Sequence, residues 1–115
     1  MLVPGDAMRL RVLIGDDDTY ADRPLYEAIL EAARAAHLAG VTVSRGIAGY
    51  GRSAHRHEIF RGFANDLPII VEIIDIEAKI NAWLPTLRGL LRGGLVTVEN
   101  LRVLEGGSVA PAQTD

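Results

Sequence analysis

The chain has 115 residues, which fits one domain and leaves enough interior for a real core. Hydrophobic residues make up 49% against 23% charged, a globular balance that excludes a disordered chain, and aromatics are only 5%, so Ile, Val, Leu and Ala must fill the core. With a net charge of −3, basic residues scattered from Arg9 to Arg102 and no cysteine, nucleic acid is not an expected partner, and disulfides, thiol nucleophiles and thiolate metal sites are excluded.

The opening Met1 to Ala7 lacks the basic region and apolar stretch of a signal peptide, and no apolar run approaches the roughly 18 residues of a membrane span, so a cytoplasmic location is expected. Met8 to Ile14 alternates, with Met8, Leu10, Val12 and Ile14 on one face and Arg9, Arg11 and Leu13 on the other, which predicts a half-buried strand. Gly15 to Arg23 reads as a loop. Its Asp16, Asp17 and Asp18 could hold a hard cation or simply form turns. Asp22 or its neighbour is placed to cap a helix with Pro24 in its first turn. Leu25, Ile29, Ala32, Ala33 and Ala36 continue that helix to Leu38, and Gly40 is its expected stop; the small alanines imply close packing on a sheet. His37, near the helix end, is suited to the dipole rather than to chemistry.

A second strand is expected at Val41 to Ile47, after which the periodicity dissolves until about Leu67. A loop of roughly 15 to 20 residues is longer than compact domains carry without a functional reason. Ile69 to Ile74, opened by Pro68, is apolar on both faces apart from Glu72 and should be an interior strand. Asp75 is the expected cap of a second helix whose apolar positions are Ile76, Ile80, Trp83, Leu84, Leu87, Leu90 and Leu91, with Pro85 expected to kink or split it. Gly93 and Gly94 end it, and Leu95 to Leu104 forms the last strand. There the apolar parity shifts from Val96 and Val98 to Leu101 and Val103, which predicts a bulge near Glu99 and Asn100.

The order strand, helix, strand, strand, helix, strand is a doubled βαβ, the ferredoxin-like plan of an α+β sandwich: an antiparallel sheet with two helices on one face. The domain spans residues 8–104, with 1–7 and 105–115 as flexible termini. The sheet's other face carries Leu13, Ile70 and Ile74 beside Arg9, Arg11, Glu72 and Glu99. That mixture is too apolar for water and too charged for a monomer core, so self-association is expected to cover it.

Four stretches together resemble a known family. Leu10 to Gly15, Pro24 to Ile29, Ala39 to Gly51 and Asp66 to Asp75 are similar to the PII-like family catalogued as domain of unknown function 190. The resemblance implies a homotrimer of ferredoxin-like subunits with sheets turned inward and does not itself deliver an activity; the role expected of the chain is signal transduction by ligand binding rather than catalysis, with no certain cofactor. Gly49-Tyr50-Gly51-Arg52 is similar to the Gly-Phe-Gly-Arg stretch with which PII signal proteins enter their long loop and help bind adenine nucleotide between subunits. In physical terms, two glycines let backbone N–H groups approach a phosphate, and an arginine adds a permanently charged donor fork. Arg45 and Gly46, just before, could join that site or simply end the strand. The resemblance departs at Leu91-Arg92-Gly93-Gly94, which leaves no room for the glycine-rich, lysine-containing phosphate loop that PII proteins carry before their last strand.

The expected function is therefore a regulatory protein that senses a small anionic effector, an adenine nucleotide, and reports it to an enzyme or membrane target through the loop 48–66. Two other classes stay open. One is a metal-binding trimer resembling the copper-tolerance CutA proteins, in which His55 and His57, at i, i+2 on an extended segment, ligate zinc or copper rather than standing solvated. The other is a small ferredoxin-like enzyme with a pocket under its sheet.

Overall fold

The computed structural model describes residues 2–49 and 67–106. Strand β1 (Gly5–Gly15) leads through a small ribbon, β2 (Thr19–Tyr20) and β3 (Arg23–Pro24), into helix α1 (Leu25–Ala35). Then follow β4 (Gly40–Arg45), β5 (Pro68–Asp75), α2 (Glu77–Leu90) and β6 (Leu95–Val103). The four long strands form one antiparallel sheet in the order β4-β5-β1-β6, the arrangement of a ferredoxin-like α+β fold.

Alternation along β1 and β5 decides which face is covered. Leu10, Val12, Ile69, Val71 and Ile73 are fully buried and pack with Leu25, Ile29, Ala33, Ile80, Trp83 and Leu87 of the two helices. The intervening residues lie on the open face in cross-strand rows. Leu13 stands between Ile70 and Leu95, Arg11 between Glu72 and Thr97, and Arg9 between Ile74 and Glu99. Arg11 pairs with Glu72 at 3.0 Å and Arg9 with Glu99 at 2.9 Å, so the charges of this face are matched within it. As expected, β5 is an interior strand, between β4 and β1.

Several local expectations give way to longer-range contacts. Residues 5–7, expected in a flexible terminus, belong to β1, where Ala7 is buried. Asp22 does not cap α1. It and Ala21 take positive φ, +65° and +52°, as the two central residues of the β2–β3 turn, and Pro24 is the N-cap. The first free N–H of the helix, that of Leu25, instead donates to the Asp18 carbonyl at 2.8 Å.

The far end of α1 comes earlier than Leu38, and Gly40 is not its stop. His37 takes φ +59° and donates its N–H to the Arg34 carbonyl, while the Leu38 N–H reaches back to the Ala33 carbonyl. These two bonds are a Schellman ending, with a histidine where glycine is usual. Gly40 is thereby free to begin β4, which ends at Arg45 and leaves Ile47 exposed.

Nor does Asp75 cap α2; Ile76 is the N-cap. The Asp75 side chain is buried and bridges two connections, accepting the N–H of Ile76 at 2.7 Å and that of Ala39 at 2.9 Å. Lys79 stands 3.5 Å from the same carboxylate and donates to the His37 carbonyl. Helix α2 runs unbroken through Pro85, which removes one N–H while buried Trp83 and Leu87 hold the turns on either side.

There is also no bulge in β6, which pairs with β1 residue for residue from Leu95↔Leu13 to Val103↔Gly5. The parity shift reflects a change of face. Val96 and Val98 lie on the helix side opposite Val12 and Leu10, whereas Leu101 and Val103 lie on the open side. The helix layer rests on β4, β5 and β1 and stops short of β6, so Val96 and Val98 stay exposed.

Candidate functional site

The antiparallel pairing brings four distant segments to one end of the sheet. Gly15 lies opposite Pro68, Arg45 opposite Ile69, and Leu13 opposite Leu95. The ends of β1 and β4 and the starts of β5 and β6 therefore meet there, and with them the loop 16–19 and the turn 91–94.

Arg45 and Gly46 are placed at this end by specific contacts. The Arg45 guanidinium donates to Asp16 Oδ1 at 2.9 Å, and this hydrogen bond, with the attraction of the same carboxylate, raises its pKa further above the ordinary arginine value. The Gly46 N–H donates to the Pro68 carbonyl at 2.7 Å, and the Asp16 N–H to that of Leu67 at 2.8 Å. A Cβ on Gly46 would come within 2.8 Å of the Pro68 ring, and Gly49, at φ +149°, faces the same ring. The glycines thus first serve the close passage of β4's exit over Pro68, and that passage fixes where the next residues start. Tyr50, Gly51 and Arg52, and the histidines His55 and His57, lie outside the described residues, as does most of the expected loop 48–66. Among the described residues no group of three His, Cys, Asp or Glu is arranged to hold a metal ion.

The acidic triplet divides its work. Asp16 holds Arg45, and Asp18 Oδ2 accepts the Gly15 N–H at 2.9 Å to close the turn. Asp17 and Asp18 also line a cavity of about 370 Å³ with Thr19, Leu25, Leu90, Arg92, Gly93 and Gly94. Sequence reasoning did not group these residues. The available signal was topological: an antiparallel sheet in this order must set the end of β1 beside the start of β6. Gly94 is required here, because its φ is +100° and a Cβ would lie 2.9 Å from the Leu13 carbonyl oxygen.

Comparisons with known proteins agree with this architecture. The model of the family DUF190, described as an uncharacterized ACR, matches residues 7–103. A UPF0166 protein of Aquifex aeolicus is 38% identical over 97 residues, covering 83% of this chain and 90% of the relative. Among solved structures, CPII from Thiomonas intermedia, a nitrogen regulatory PII-like protein bound to ADP, AMP and bicarbonate, matches with a TM-score of 0.64 at 16% identity, over 90% of this chain and 92% of that one. CutA1 from Oryza sativa matches with a TM-score of 0.54 at 14% identity, over 88% and 81%. No helix among the described residues is long and apolar enough to cross a membrane.

Proposed function

Because this chain belongs to the uncharacterized family DUF190 and has a PII-like ferredoxin-like fold, we propose that it is a cytoplasmic regulatory protein, acting by binding rather than catalysis, with an adenine nucleotide as its effector. The observation that carries this reading is the braced exit of β4, where Arg45 is held by Asp16 and Gly46 by Pro68. A ligand held at a rigid strand end can bias the segment that follows only by preferring one of its conformations. In this reading Arg45, Gly46, Gly49, Tyr50, Gly51 and Arg52 form the nucleotide site at a subunit cleft of the domain 8–104. Residues 48–66 report occupancy to an enzyme or membrane target. The ADP and AMP of CPII support the choice of ligand.

Calorimetric titration with ADP tests it. Wild type is expected to bind, and Arg52→Ala to bind about tenfold to a hundredfold more weakly, the worth of one charge-assisted contact. No binding of ADP or AMP by wild type would overturn the nucleotide reading, and equal affinity in both proteins would remove Arg52 from the site.

A homotrimer belongs to the same proposal. Leu13, Ile70, Ile74 and Leu95 on the open face, with the exposed Val96 and Val98 of an edge strand, are surface that a monomer rarely leaves in water. Light scattering is expected to give a trimeric mass, and Leu13→Asp, which puts a carboxylate into the most apolar row, a smaller one. A monomeric wild type would rule out a site between subunits.

A further inference from the structure

Two ion pairs of the sheet, Arg9 with Glu99 and Arg11 with Glu72, join directly opposite residues of neighbouring strands. Arg45 with Asp16 is of another kind. β5 lies between β4 and β1, so the Arg45 side chain spans a whole strand to reach a carboxylate just past the end of β1. Backbone bonds set both ends of this contact: the Asp16 N–H donates to the Leu67 carbonyl at 2.8 Å, and the Gly46 N–H to the Pro68 carbonyl at 2.7 Å. Neither needs the side chains to be joined. The pair itself is a single contact, from Arg45 Nη2 to Asp16 Oδ1 at 2.9 Å, and no second bond joins the two side chains. The Arg45 side chain is 51% exposed and that of Asp16 23%, so water screens their attraction and a ligand can reach both.

We propose that Asp16 is autoinhibitory: its carboxylate occupies Arg45 in the free protein and must yield to the phosphate of an incoming effector. This rests on the nucleotide reading of the β4 exit, in which Arg45 contacts the ligand. A phosphate carries more charge than a carboxylate and engages both arms of a guanidinium fork, so it is the stronger partner for Arg45. It cannot take that place freely. If Asp16 lets go, the energy of its contact with Arg45 is lost; if it stays, two anions share one guanidinium and repel. The charge of Asp16 therefore lowers the affinity for a phosphate in either arrangement. Release of Arg45 also uncouples the exit of β4 from the end of β1, while the bonds of Gly46 and of the Asp16 N–H keep the strand ends in place.

The test is calorimetric titration of the full chain with ADP, in wild type, Asp16→Asn, Arg45→Gln and Asp18→Asn. Asp16→Asn keeps the size of the side chain and removes its charge, and is expected to bind ADP about threefold to tenfold more tightly than wild type. Its unfolding midpoint should match wild type, because the bond to Leu67 is made by its backbone. Arg45→Gln is expected to bind about tenfold more weakly. Asp18 bears the same charge two residues on, but its carboxylate is engaged by the Gly15 N–H. Asp18→Asn thus reads the general field of this loop and should leave the affinity within about twofold of wild type. If Asp16→Asn binds ADP no more tightly than wild type, or if Asp18→Asn gains as much, autoinhibition is overturned while the nucleotide reading stands. Binding by none of the four proteins overturns both.

Discussion

Replacing Asp75 by alanine is expected to destabilise the fold by about 3 kcal/mol, because it strips the acceptor from two backbone N–H groups at once, each worth roughly 1–3 kcal/mol when left unmade. Asp75 is 3% exposed, and its carboxylate joins the entry to α2, through Ile76, to the entry to β4, through Ala39. These two connections are distant in sequence, and no other side chain among the described residues bonds both. Lys79 loses its carboxylate neighbour but keeps the His37 carbonyl, so the damage centres on the two N–H groups. Asp75→Asn retains one acceptor oxygen and should fall between alanine and wild type. Urea unfolding of the three proteins is the measurement. An alanine variant within about 0.5 kcal/mol of wild type, the range of inert surface changes, would show that water replaces the carboxylate at no cost.

A comparable loss is expected from Gly94→Val, about 3 to 5 kcal/mol, as two separate penalties combine: a β-branched residue at positive φ and a side chain forced onto a backbone oxygen. The φ of +100° disfavours any L side chain, and the Cβ would lie 2.9 Å from the Leu13 carbonyl and 3.1 Å from Ile14 Cγ2. Neither neighbour can give way, since both belong to the central strand β1 and Ile14 is buried in the core. Gly89→Ala supplies the contrast. Gly89 lies in α2 with nothing within 4 Å of an added Cβ, so this change should stabilise by about 0.5 to 1 kcal/mol. Thermal and urea unfolding of both variants decide the matter, and a Gly94→Val protein as stable as wild type would mean that the turn re-forms without the close approach.

What the residues by themselves determined is the part of this protein that depends on local spacing. The alternation of Leu10 and Val12 with Arg9 and Arg11 settles which side of β1 is covered, and the doubly apolar run from Ile69 to Ile74 settles that β5 is interior. The repeated strand-helix-strand order, with the family stretches laid along it, then leads to the ferredoxin-like fold. Tertiary structure alone decided the rest, wherever a backbone group finds its partner far along the chain. Asp75 reads locally as a cap, yet it spends an oxygen on Ala39; Gly40 reads as a helix stop, yet His37 turns the chain first. The parity shift in β6 reads as a bulge because spacing carries no record of which face the helices leave bare. The cavity was invisible for the same reason: Asp17 and Asp18 meet Arg92 only because β6 pairs with β1, and a pairing between strands so far apart is set by the global packing of the sheet, not by any pattern within either strand.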